Sequence, residues 1–224
     1  MITTPAELPE GSWPPVHDLA RWTGRWLFRP IFRLRYHKVS RVPSRGPVVL
    51  VANHSAFVDG PLLFGVVGRR VVFLVKNELF HGALGWALPR IGQLAVRRGK
   101  PDRAPLLAAQ AVLRGGGMVA VFPEGTRGAG DATSAHNGAA WLARATGAVV
   151  LPVVCRGTYR PPDARRRFRP RVDVLVGEPF RVSEERGRTG LGTATEKIRV
   201  ALSDLITELD GLREGAAPTS REAQ

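Results

Sequence analysis

Cysteine is almost missing from this chain: among 224 residues only Cys155 carries a thiol. One cysteine excludes an intramolecular disulfide and any cysteine-based metal cluster, and it suits a reducing, cytoplasmic setting. Histidine is scarce too, with five in the chain and no His-Glu-x-x-His pair. The zinc-hydrolase pattern is therefore absent, and no metal is expected. A Gly-x-Ser-x-Gly elbow is also lacking, which removes the usual serine route through an acyl-enzyme. No run approaches the ~18 consecutive apolar residues of a membrane span. The first residues, with Glu7, Glu10 and no unbroken apolar core, do not read as a secretory signal. Any contact with a membrane is expected to be peripheral, at its cytoplasmic face and without a transmembrane helix.

What the chain has in excess is arginine. Lysine and arginine together number 33 against 19 acidic residues, a formal net charge of +14, yet lysine occurs only at positions 38, 76, 100 and 197. Such a surplus suits polyanionic partners: nucleic acid, an anionic bilayer or a phosphorylated substrate. Nucleic acid is not favoured, because aromatic residues are not interleaved with basic ones in a recognisable signature. The densest basic run, Arg160 to Arg171, is broken by prolines and reads as a loop, with Phe168 placed to dip into lipid headgroups.

Residues 1–15 are proline-rich and predict irregular chain, and residues 214–224 predict a disordered tail. From His17 to Phe28 the spacing is helical. Leu19, Trp22, Trp26 and Leu27 fall on one side, with Arg21, Arg25 and Arg29 along another. This is an amphipathic segment that either packs on the domain or lies in a bilayer interface. Beyond Pro43 the pattern alternates strand and helix through "PVVLVAN", "DGPLLFGVVG", "RVVFLVK", "QLAVRR", "MVAVFPEG", "AVVLPVVCRG" and "RPRVDVLVGEPF". Short apolar strands separated by helices predict a single α/β domain with a mostly parallel central sheet covered by helices on both faces. The closing helix puts Ile198, Leu202, Leu205, Ile206 and Leu209 on one face, to dock on the core. The organisation is thus a membrane-associating segment over 1–40, the main domain over 41–213 and the tail.

Two apolar strands end abruptly in polar residues. The first, "VVLVANHSAFVDG", stops at Asn53-His54 and is answered by Asp59. Across a short turn that carboxylate can reach the imidazole Nδ1, fix its tautomer and stabilise the imidazolium formed when Nε2 takes a proton. The same pair could merely cap a loop and a helix. The second, "VFPEGTRG", ends in Glu124, Gly125, Thr126 and Arg127, where arginine offers a bidentate grip on phosphate and glycine allows close backbone approach. Between them lies "IGQLAVRRGK", with Gly92 and Arg98; after them comes Pro152 inside an apparent strand, which suggests a bulge or a bend lining a site. Cys155, in the same run, reads as inert packing.

These stretches in this order resemble the glycerolipid acyltransferase family, which includes bacterial 1-acylglycerol-3-phosphate acyltransferases. The likeness runs from about Arg41 to Gly157. It implies that His54 is the general base on an acceptor hydroxyl and Asp59 its orienting partner. It implies that Arg98 and Arg127 hold a phosphate, that Glu124, Gly125 and Thr126 belong to the acceptor site, and that Gly92 matches the motif around Arg98. Pro152 would shape the acyl-donor side, and Lys76 in "VKNELF" would lie near the acceptor phosphate. The implied reaction moves a fatty acyl group from acyl-CoA or an acyl carrier protein, as co-substrate and with no other cofactor, to the hydroxyl of a lysophospholipid at an anionic membrane surface. An acyl thioester is already activated, so a base that deprotonates the alcohol suffices and no enzyme nucleophile is needed. Acid that protonates the base should slow the reaction. One departure stands out: Asn137 occupies a place where relatives commonly carry lysine, which leaves open another lysolipid or glycolipid acceptor, or an inactive lipid-binding relative.

Overall fold

A computed structural model describes residues 7–97, 103–125, 130–132, 135–160, 168–183 and 187–215. Helix α1 (Pro14–Leu27) is followed by strand β1 (Arg33–His37), β2 (Val48–Ala52), α2 (Asp59–Val66), β3 (Val72–Lys76), α3 (Gly82–Arg90) and β4 (Leu94–Val96). Then come α4 (Ala104–Arg114), β5 (Met118–Val121), α5 (Gly138–Thr146), β6 (Val149–Arg156), β7 (Arg171–Val176) and α6 (Gly187–Glu214). The seven strands form one sheet in the order β1-β7-β6-β2-β5-β3-β4. Every pairing is parallel except β6 with β7.

Both faces of the sheet are covered, as the unbroken apolar strands predict. Along β2, Val49 and Val51 face a core built with residues of α4, α5 and α6, including Leu113, Leu142 and Leu202. Val48, Leu50 and Ala52 face the other, with Leu62 and Leu63 of α2 and Phe28 just beyond α1. The face of α6 read from the sequence is buried at all five positions. From β2 the chain crosses one face through α2 to β3, and from β5 it crosses the other through α5 to β6. The connections diverge on either side of the β2–β5 pair, so a crevice opens at the carboxyl ends of these strands.

Two parts of the N-terminal region differ from the sequence reading. Helix α1 begins at Pro14, its proline fitting the first turn, and β1 was not foreseen. Strand β1 lies within the segment 1–40 yet is the edge strand of the sheet, paired with β7 from Arg33 to His37. Its alternation is obscured by the arginines at 33 and 35, whose side chains an edge position tolerates. Helix α1 docks through its small residues and His17 rather than its large apolar ones. A Cβ on Gly65 would lie 2.7 Å from the backbone nitrogen of Arg25 and 2.7 Å from the carbonyl carbon of Gly24, so the helices touch backbone to backbone. Leu19, Trp22, Trp26 and Leu27 consequently remain exposed.

His17 is the polar group in this junction. It is fully buried, with Nδ1 2.7 Å from the carbonyl oxygen of Ile91 and its ring edge-on to Phe64 at 4.9 Å. Burial pushes its pKa down from 6.5 to about 4, against the opposing pull of the Ile91 carbonyl. Above the unfolded value both states are neutral and the stability is complete. Below it the unfolded chain takes up a proton that the folded chain refuses, so stability falls as pH drops from 6.5 towards 4. That loss should amount to roughly 3 kcal/mol. Urea unfolding at a series of pH values checks it: His17→Gln should flatten this part of the slope.

Candidate active site

Strand β2 delivers its first polar residues at the crevice. Asn53, fully buried, accepts a hydrogen bond from the Cys155 backbone N–H at 2.8 Å. It donates to the carbonyl oxygens of Cys155 and Gly130, each at 3.0 Å. Its amide thus extends the β2–β6 ladder by one rung of side chain and pins the segment that follows the "FPEGTR" stretch. His54 comes next, stacked on Phe122 with ring centroids 4.1 Å apart.

Asp59 is the first residue of α2, and its carboxylate folds back over the turn. Oδ2 accepts the backbone N–H groups of Ser55 at 2.8 Å and Ala56 at 2.7 Å. The same oxygen lies 3.4 Å from His54 Nδ1. That separation exceeds an ordinary hydrogen bond, and Nδ1 has no closer partner; it becomes an ion pair when the imidazole is protonated. Capping and pairing, the two alternatives in the sequence, are therefore both present in one carboxylate. From the far side, Glu124 Oε1 accepts the His54 backbone N–H at 3.2 Å. Burial pushes the Glu124 carboxyl above its ordinary pKa, while the hydrogen bond and charge of His54 pull it back.

His54 lines an apolar cleft of about 510 Å³. Phe73, Phe122 and Ile91 wall it, Leu84 and Leu88 of α3 close its far side, and Gln93 supplies a polar point. Lys76 stands at the mouth, half exposed, 3.1 Å from Glu78 Oε1.

The sequence-predicted residues thus divide. His54, Asp59 and Glu124 come together, and Gly125 adjoins them at φ +69°, where a Cβ would sit 2.6 Å from the His136 ring. Lys76 faces the same cleft. Gly92 does not touch His54 or Asp59: with φ +73° it turns the chain after α3, and a Cβ there would press on Pro9 at 3.3 Å. Pro152 is not among the residues that line the cleft, yet the pairing of β6 does slip by one residue across it, from Val153 opposite Val176 to Val150 opposite Phe180, as a bulge requires. It pairs in register with Val51, its carbonyl accepts the Gly177 N–H at 2.9 Å, and a Cβ on Gly177 would meet its ring at 2.8 Å. A missing N–H is tolerated at such a slip. Arg98, Thr126 and Arg127 lie outside the described residues. Asn137 precedes α5 and accepts a hydrogen bond from Thr195 at 2.8 Å, so its amide oxygen is engaged by α6. The Cys155 thiol is fully buried and its pKa is pushed well up by that burial.

Sequence reasoning missed four contributors: Asn53, Phe122, Gln93 and Arg156. The last ends β6 and holds Asp210 of α6 and Asp131, each at 2.9 Å. A polar residue closing a buried strand was the available signal for Asn53 and Arg156; nothing in the pattern singles out Gln93, whose Oε1 accepts the Phe73 N–H at 2.8 Å. Among the described residues no cluster of histidine, cysteine and carboxylate side chains is arranged to hold a metal. Replacing Asn53 by alanine strips partners from three buried backbone groups and should cost about 3 kcal/mol or more, read as a shift in the urea midpoint with the slope unchanged.

Comparison with known proteins bears on the family and the fold. The profile of a family described as Acyltransferase matches residues 33–156. A 1-acyl-sn-glycerol-3-phosphate acyltransferase of Pseudomonas aeruginosa is 26% identical over 196 residues, covering 84% of this chain and 76% of its own. A lyso-ornithine lipid O-acyltransferase of the same organism is 34% identical over 178 residues, covering 75% and 66%. The crystal structure of PlsC, the 1-acyl-sn-glycerophosphate acyltransferase of Thermotoga maritima, shares the fold with a TM-score of 0.67 at 24% identity, over 94% of this chain and 80% of that one. The profile runs from β1 to the end of β6, more than half of the sequence, and the chain belongs to the acyltransferase family.

Proposed function

We propose that this O-acyltransferase moves a fatty acyl group from a thioester, acyl-CoA or acyl carrier protein, to the free hydroxyl of a lysophospholipid, with 1-acylglycerol-3-phosphate as the leading acceptor. One observation carries the reading: a histidine whose Nδ1 is turned to a buried carboxylate lines an apolar cleft. The cleft suits the donor's hydrocarbon chain, with the thioester at its His54 end. Nε2 removes the proton from the acceptor hydroxyl as its oxygen attacks the thioester carbonyl. The tetrahedral intermediate then expels the thiolate, which recovers the proton from the imidazolium. Asp59 stabilises that cation, and Glu124 fixes the backbone from which the ring projects. Lys76 at the mouth, with Arg98 and Arg127, is assigned to the acceptor's phosphate. No acyl-enzyme forms.

The acceptor is presented by a bilayer. Trp13, Leu19, Trp22, Trp26 and Leu27 are exposed along α1, and Leu84 and Trp86 of α3 are exposed beside the cleft. Arg90 joins the two groups, its guanidinium 5.2 Å from the Trp13 ring centre and 4.3 Å from that of Trp86. Phe168, 87% exposed, adds a further apolar tip, and the neighbouring Arg169 bonds the Arg29 carbonyl at the end of α1. Aromatic and basic groups together suit an anionic interface, here the cytoplasmic face of the membrane. Among the described residues no helix is long and apolar enough to cross it. A second acceptor class, an amino-acid lysolipid, is favoured by the name of the 34% identical relative and by the engaged Asn137.

Thioester consumption by purified protein against a panel of lysolipids tests the reaction. His54→Ala should lower kcat by about 10²- to 10⁴-fold, and undiminished transfer would sink the mechanism. Flotation with vesicles tests the surface: binding should need anionic lipid, and Trp22→Glu with Trp26→Glu should release the protein. Binding indifferent to both changes would count against it.

A further inference from the structure

The cleft beside His54 has a neighbour. A groove of about 430 Å³ runs along α1, and it shares Pro61, Phe64 and Ile91 with the cleft as a common wall. We infer that this groove is a second lipid subsite, which takes the acyl chain already carried by the lysolipid acceptor, while the cleft takes the chain of the donor. The inference rests on the proposed reaction, in which both substrates carry a chain.

The groove follows from how the two helices meet. Because Gly24 and Gly65 bring α1 and α2 into backbone contact, side chains flanking that point stand apart and leave a furrow. On α1 its lining steps through Val16, Ala20, Thr23 and Leu27, a spacing of four, three and four that forms a straight stripe. The stripe extends about 16 Å along the helix axis, enough to lay out most of a long fatty chain.

Two observations assign the chains. The groove is open, and its lips, Leu19 and Leu27, are 62% and 56% exposed on the face proposed to enter the bilayer. A lysolipid resident in the membrane can slide its chain into such a furrow sideways, never crossing water. The donor comes from the aqueous side, and its chain needs cover, which the cleft under α3 offers. The shared wall begins at Pro61, two residues after Asp59. Both chains therefore approach the first turn of α2, where the hydroxyl of one and the thioester of the other meet His54.

The test crosses two variants with two substrate series in mixed micelles. Thr23 lies exposed at the groove, so Thr23→Trp should fill the furrow without unfolding the protein, checked by an unchanged urea midpoint. Its preference for long-chain over short-chain lysolipid acceptors should fall about tenfold, as when roughly two methylenes leave an apolar site. Its preference among donor chain lengths should stay as in the wild type. Leu88→Trp, in the cleft, should do the reverse. An acceptor preference unmoved by Thr23→Trp, an equal loss for long and short acceptors, or a shift in donor preference instead overturns the inference. Wild-type protein that acylates no lysolipid of any length overturns the reaction itself, a result distinct from an active enzyme that ignores the groove.

Discussion

A carboxylate shut away from water is tolerable only where donors converge on it, and Asp59 is completely buried. Its position is therefore dictated by the two backbone N–H groups of the turn that it closes, with the charge at the amino end of α2 favoured further by the helix dipole. The turn has one compact form because the carboxylate needs it, and the form delivers His54 to the same oxygen. Glu124 locks the histidine backbone from the opposite strand, and Asn53 ties β2 to β6 directly beneath. The site is a knot at the carboxyl ends of the central strands, and its tightest loop is an electrostatic necessity.

Much of this was legible because it is local. Unbroken valine and leucine runs announce buried parallel strands, and an abrupt polar residue at the end of such a run marks the loop where chemistry collects. His54 and Asp59 are five residues apart, so one turn decides their meeting. The five apolar positions of α6 announce their face by helical period alone. What was not legible depends on partners distant in sequence. Strand β1 reads as a basic stretch until β7 lies beside it. Pro152 reads as a defect until the one-residue slip between β6 and the chain after β7 shows where its missing N–H is tolerated. The docking side of α1 could not be chosen from its amphipathic pattern, because a glycine on another helix decides it.

That choice has a general cause. Small residues let backbones approach closely, and dispersion contacts between two helices rise steeply as they do. Gly24 and Gly65 thus outcompete Trp22 and Trp26 for the interface, although the tryptophans carry far more apolar area. The result is a helix whose greasy face points outward by construction, and the surplus of arginine, with Arg29 stacked 4.1 Å from the Trp26 ring centre, keeps that face soluble and directed towards anions.

The contact between Gly24 and Gly65 also acts as a fixed spacer. With no side chains between the backbones there is little slack, and from Gly65 back to Asp59 the rigid rod of α2 measures about 9 Å. Backbone contact at one end and the Asp59 turn at the other leave no flexible side chain between α1 and the segment that carries the imidazole. The length of that rod therefore sets the spacing between the exposed face of α1 and the imidazole.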